Sequence, residues 1–467
     1  MSGNVFDAAI SRLRRILVPR PDPGAGIALF LTAHAAAALF LFWQASQARF
    51  CCDATDYYLP AGVAIWRDGL LWDDPYAGYR FYLVPLVFGL LERLPWMASE
   101  PSAISHQFPY ALAGAYMLTS LAASYRVFRR ESWQRWLLFV PPVLCNPFLL
   151  AIVPYPLQER VVAIFALPLL VVLLADTHLT LRGLAIIAAL SFGLLVVSRP
   201  SLAWMALPIA LCVFYRGIAL RSSAKTFVFA ASAGIAILSI LLAPQAYIAM
   251  KAPPQNAREW VLRAQLVDGI DMFDYTTGYD ATHFFPVPAW SPFRNMPSEE
   301  KNLSFYGSHP EHGFVVAATH VWAGLHYMAP TPYVPKTSFR LFSPWLIASA
   351  CVVGYGLIGL AGWWRARDDR GIVLFLTATV ALSCMYTALT ATEGRFGLLG
   401  FLALSVAAWK YLSTSPRKPE LAVTAPLVIA YVVLCIAFGA LLLYRTPLLA
   451  AESLGSIGPS VGALSVR

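Results

Sequence analysis

Two carboxylates stand three residues apart just after the first apolar stretch, in Cys52-Asp53-Ala54-Thr55-Asp56-Tyr57-Tyr58-Leu59-Pro60-Ala61. A carboxylate beside a hydroxyl can take its proton, and carboxylate oxygens are common ligands of a divalent cation. Aspartate is also an ordinary helix N-cap, so Asp53 and Asp56 alone leave catalysis, cation binding and capping open. Three arginines form a second group. They are Arg160 in Pro154-Tyr155-Pro156-Leu157-Gln158-Glu159-Arg160, Arg199 in Ser198-Arg199-Pro200, and Arg395 in Glu393-Gly394-Arg395-Phe396. A guanidinium fork binds phosphate oxygens two at a time. Near a helix end the same side chain also snorkels to lipid headgroups, and Glu159 and Glu393 offer Arg160 and Arg395 local ion pairs.

Other groups carry less. His309-Pro310-Glu311-His312 contains metal-ligand types, but the proline argues against a helical pair and no further ligand has matching spacing, so no metal site is assigned. Asp268, Asp271 and Asp274 would neighbour one another on a helix, where a solvated face is the plainer account than an acceptor or cation site. Trp260, Trp290 and Trp322 can stack on a sugar or sit in a membrane-interface belt. The Gly-rich Lys-Ser/Thr phosphate loop is absent.

The elements that must position these residues are membrane helices. Hydrophobic residues make up 58% of the 467, charged residues only 13%, and mean hydropathy is +0.62. A water-soluble fold could not hide that apolar surface, whereas helices in lipid satisfy their own backbone. Expected spans are 26–45, 108–125, 136–153, 161–175, 183–198, 201–215, 226–247, 343–363, 371–391, 396–412 and 421–443. The net charge of +9 lies in short gaps between apolar runs, at Arg12 to Arg20, Arg126 to Arg135, Arg216 to Lys225, Arg365 to Arg370 and Lys410 to Lys418. These clusters report topology and not a nucleic-acid partner, and eleven spans put all of them in the cytoplasm.

Two further apolar stretches, Phe81 to Met97 and Gly313 to Pro330, would break that agreement if either one crossed, so both are expected as membrane-surface helices. The expected organisation is a cytoplasmic segment 1–25, a transmembrane module 26–247 with an extracytoplasmic loop 46–107, a large extracytoplasmic loop 248–342, a second module 343–443, and a tail 444–467. Arg160, Arg199 and Arg395 then fall at extracytoplasmic helix ends, against the local charge rule.

The order of the first loop resembles that of the GT-C superfamily of membrane glycosyltransferases. Asp53, Tyr57, Ala61, Gly69, Tyr79, Tyr82, Pro85 and Leu86 follow the family's acidic residue, tyrosine, small-residue helix, glycine and Tyr-x-Tyr-Pro-Pro-Leu-like helix, with Val84 in place of the first proline. The acid aligns as either Asp53 or Asp56. The segments around Arg160, Arg199 and Arg395 fit in the same order, and Glu393-Gly394-Arg395-Phe396 is similar to the family's Arg-Tyr-x-Leu-Pro element, with Phe396 for Tyr and no following Pro.

The resemblance implies an all-α bundle that moves a sugar from a polyprenyl-phosphate donor, in the mannosyltransferase manner, to an extracytoplasmic glycan or lipid acceptor by inverting displacement. In that reaction a carboxylate takes the acceptor's proton, with Asp53 as the candidate and Asp56 the alternative or a partner in holding a divalent cation. Arg160, Arg199 and Arg395 would take the leaving phosphate. Tyr57, Tyr79, Tyr82, Gln158, Glu159 and Glu393 would line the substrate loops. Compact loops and no retention signal lead to the expectation of a bacterial inner membrane with the site in the periplasm. The rival classes are a transporter or lipid flippase, disfavoured by nearly charge-free spans and no visible repeat, and an O-antigen polymerase or ligase, disfavoured by the acidic first loop.

Overall fold

The computed structural model describes residues 23–47, 58–69, 82–92, 101–130, 179–251, 310–327, 343–366, 370–388, 397–414 and 424–442, with single residues between 133 and 171. In chain order its helices are α1 (Pro23–Gln47), α2 (Leu59–Asp68), α3 (Leu83–Glu92), α4 (Pro101–Arg130) and α5 (Leu181–Ser198). A 3₁₀ turn (Pro200–Met205) follows, then α6 (Ala206–Ala219), α7 (Ala224–Lys251), α8 (Pro310–Leu325), α9 (Pro344–Ala366), α10 (Arg370–Ala388), α11 (Leu398–Thr414) and α12 (Thr424–Leu442). No strand occurs among the described residues.

Among the described residues, seven helices are long and apolar enough to cross a membrane: α1, α5, the segment from Leu202 through α6, α7, α9, α10 and α12. This is fewer than the eleven spans expected. The expected spans 136–153 and 161–175 lie largely outside the described residues. Helix α4 has the length, but Thr119, Ser120, Ser124 and three tyrosines dilute its apolar character. Helix α11 is apolar but has only 17 residues.

Small residues let these helices approach closely, as packing in lipid requires when there is no water to drive association. Gly356 and Gly359 of α9 lie against the backbone of Leu404 and Ala407 of α11. Leu41, Tyr116, Trp136, Leu144, Met205, Phe401 and Leu404 fill the main core, and Trp136 Nε1–H donates to Ser124 Oγ at 2.8 Å. Outward-facing side chains such as Leu39, Ile240, Ile429 and Leu434 are well exposed, as lipid-facing positions should be.

Helices α2 and α3 are too short to cross a membrane, at 10 residues or about 15 Å each. Pro60 opens α2, and Gly69 ends it with a positive φ of 85°, its N–H returning to the Ile65 carbonyl at 2.9 Å. The two helices cross at Gly62 and Gly89. A Cβ on Gly62 would stand 2.6 Å from the Gly89 nitrogen, so only glycine permits the contact. Ala61, Ile65 and Tyr82 then bury against Val197 of α5 and Ile248 of α7.

Helix α8 differs from the surface helix expected between Gly313 and Pro330. Its first turns are exposed at Glu311 and Phe314, but from His320 onward it is buried, and it wedges among α9, α10, α11 and α12. The reason is polar as much as apolar. Trp322 Nε1–H donates to the Cys435 carbonyl at 3.1 Å, and Tyr327 N–H donates to Ser349 Oγ at 3.0 Å. His326 Nδ1 lies 2.9 Å from the Trp322 carbonyl, so that nitrogen carries the proton, and Tyr431 O–H donates to its bare Nε2 at 3.0 Å. Gly324 and Gly397 touch backbone to backbone, a Cβ on Gly397 falling 2.6 Å from the Gly324 Cα.

Candidate functional site

The site is built where α5 stops. Thr180 caps the start of α5 by accepting from Gly183 N–H at 3.2 Å. Pro200 ends it, because the proline ring disfavours helical backbone in the preceding residue. Arg199 accordingly turns extended, at φ −149° and ψ 95°, while its N–H still closes the last turn on Leu195 O at 2.8 Å. Its own carbonyl accepts from Leu202 N–H at 3.0 Å as the chain winds into the 3₁₀ turn.

That backbone aims the Arg199 side chain into the bundle, where the residue is only 7% exposed. Arg199 Nη2–H donates to Tyr386 Oη at 3.0 Å, and its Cζ lies 5.8 Å from the Tyr386 ring centre. Tyr386 belongs to the last turn of α10, and its ring lies 6.2 Å from that of Trp204 in the 3₁₀ turn. Leu195, Leu202 and Leu399 close the apolar walls. The guanidinium is a cation in a low-dielectric setting, where its field acts strongly on any nearby anion.

The same end of the bundle gathers the other short helices. Tyr82, just before α3, is buried; its N–H donates to Gln245 Oε1 at 3.2 Å and its hydroxyl to the Leu241 carbonyl at 2.9 Å, both on α7. Burial raises the Tyr82 phenol above its usual range, which keeps it a donor. This is the geometry of an anchor that fixes α3 to the bundle. On the other side of the α10 terminus, His320 Nδ1–H donates to the Ala388 carbonyl at 3.2 Å, two residues beyond Tyr386.

Of the residues expected to act as base, phosphate ligand or substrate-loop lining, Tyr82 and Arg199 are the two whose positions the structure describes, and they lie at the same end of α5 and α7 without touching the same group. Asp53, Asp56, Tyr57, Tyr79, Gln158, Glu159, Arg160, Glu393 and Arg395 lie outside the described residues, as do Asp268, Asp271, Asp274 and His309. Tyr58, next in sequence to Tyr57, is fully buried with its ring 5.6 Å from Phe88. No group of three or more His, Cys, Asp or Glu that could hold a metal ion occurs among the described residues.

Sequence reasoning passed over Tyr386, Trp204 and Gln245. Tyr386 and Trp204 each fall near the end of an expected span beside a flagged arginine motif or facing helix end, and that placement was the available signal.

No known protein family matches the chain, and no curated protein does. Among solved structures it is similar to the Archaeoglobus fulgidus oligosaccharyltransferase, crystallised with an acceptor peptide containing the NVT sequon tethered through a disulfide bond. The match has a TM-score of 0.44 and 13% identity and covers 91% of this chain. It covers 55% of the archaeal protein, so the present chain spans little more than half of that length.

Proposed function

We propose that this chain is a membrane glycosyltransferase that moves a sugar from a polyprenyl-phosphate donor to an extracytoplasmic glycan or lipid acceptor by inverting displacement. The observation that carries the reading is the buried Arg199, fixed at the end of α5 on which the helices of the acid-bearing first loop pack. A lipid-linked sugar presents its reactive carbon at the membrane surface, and its phosphate departs with negative charge that a preorganised cation stabilises.

In this reading Asp53 takes the acceptor proton, with Asp56 the alternative, while Arg199, Arg160 and Arg395 receive the phosphate. Tyr82 holds α3 in place, and Tyr57, Tyr79, Gln158, Glu159 and Glu393 line the approach. The cell inner membrane, with the site on the periplasmic face, fits the distribution of basic residues.

The test is transfer of radiolabelled sugar from synthetic polyprenyl-phosphate donors to membrane extracts by the purified chain. Asp53→Asn or Asp56→Asn should lower turnover by about a hundredfold or more if that residue is the base, and Arg199→Ala should lower it comparably. Consumption of no donor, together with passage of a lipid or solute across proteoliposomes, would replace this reading with that of a transporter.

A further inference from the structure

Among the described residues, two buried donors beside Arg199 have no hydrogen-bond partner. Ser198 is 1% exposed, and neither its Oγ nor the buried Trp204 Nε1 has one among the described residues. Buried polar groups are nearly always paired, so an orphan asks for an explanation, and here two flank one buried cation. Both belong to the Arg199 corner. Ser198 follows Leu195 by three residues on α5 and therefore shares its face, and Leu195 packs in one cluster with Leu202, Trp204, Tyr386 and Leu399. An indole N–H can only donate, and a guanidinium can only donate. The group that would satisfy this set is an acceptor with several oxygens and negative charge.

We infer that Ser198 and Trp204 donate, with Arg199, to the phosphate of a lipid monophosphate, and that Tyr386 is the positioning residue that holds the Arg199 guanidinium toward it. This rests on the glycosyltransferase reading for the identity of the lipid. The chemistry itself, an anionic phosphate meeting one cation and two neutral donors, would suit a phospholipid headgroup or free phosphate as well, and the apolar walls favour a phosphate that arrives on a lipid.

The experiment measures binding of radiolabelled polyprenyl monophosphate to the purified full chain in phosphatidylcholine nanodiscs. The unlabelled competitors are the neutral polyprenol of equal length, inorganic phosphate and phosphatidylglycerol. Saturable binding displaced by none of the three is expected. Ser198→Ala and Trp204→Phe should each weaken it about tenfold, as loss of a hydrogen bond to a charged group does, with little change in melting temperature. Tyr386→Phe should raise the donor KM about tenfold and leave the acceptor KM unchanged, a split that a general loss of packing would not produce. In the unmodified chain the Trp204 indole N–H resonance, assigned by its absence in Trp204→Phe, should move downfield when the monophosphate is added.

Displacement by phosphatidylglycerol or by inorganic phosphate would overturn the lipid-monophosphate assignment in favour of that source. Unchanged affinity in Ser198→Ala and Trp204→Phe, with an unmoved indole resonance, would overturn the inference even if sugar transfer occurs. Graded loss of binding without any sugar transfer would keep this site and remove the glycosyltransferase reading.

Discussion

The α2–α3 pair and α8 both come from long segments between spans, and both finish at the Arg199 end of the bundle. Tyr82 ties the pair to α7, and the pair packs on α5 and α7 while Val84 and Phe88 of α3 reach the main core. Helix α8 enters the bundle and bonds to three helices, through Ser349 of α9, Ala388 of α10, and Cys435 and Tyr431 of α12. A short helix is thus placed by what its polar atoms can reach. Trp322 and His326 would each be costly to bury alone, and their partners lie within the bundle.

The largest loss is expected at the Gly324–Gly397 contact. Gly397→Leu forces backbone apart from backbone and should expel α8, costing at least about 3 kcal/mol in unfolding free energy by denaturant titration in detergent. The matching change at the other helix pair, Gly62→Val, should cost less, about 2 kcal/mol, because α2 itself sets only its first residue, Leu59, against the main core. Equal losses would mean that the pair is as integral as α8.

Acid should also act on α8 and spare the pair. Burial pushes His326 down to about 4 from an ordinary 6.5, so the unfolded chain binds the proton more readily between those values. Stability is then constant above about pH 7 and falls as pH drops from 6.5 toward 4, by up to roughly 3 kcal/mol. His326→Gln should flatten the melting temperature against pH across that window; an unchanged slope would assign it elsewhere. The smallest effect expected is that of Tyr82→Phe, which deletes one hydrogen bond to a carbonyl and should cost about 1 kcal/mol, with native packing at α8 unaltered by hydrogen exchange.

Much of the bundle was legible because bilayer-length apolar runs leave few alternatives. The expected spans 26–45, 183–198, 226–247 and 343–363 fall inside or within a residue of α1, α5, α7 and α9. Arg199 was legible as a cation out of place, and Pro200 explains its extended backbone. Its partner was not, because Tyr386 lies 187 residues away and no local pattern pairs them. Tyr82 read as a substrate residue for the same reason, since its anchors on α7 are 159 and 163 residues distant. Helix α8 read as a surface helix because its composition does not record the four helices around it, although the side-chain donors of Trp322 and His326 were a cue that it needs neighbours.

The bond between Arg199 and Tyr386 also sets a condition on how the chain is assembled. Synthesis at about 5–20 residues per second leaves an interval of roughly ten to forty seconds between the two residues. For that time α5 is in the membrane with a cation that has no α10 to meet, and the flexible arginine stem must keep the charge among headgroups and water. The end of α5 therefore has two settings in the life of the protein, one facing the membrane surface during insertion and one facing inward once α10 arrives. Closure of this corner is a late event, dependent on the C-terminal third of the chain.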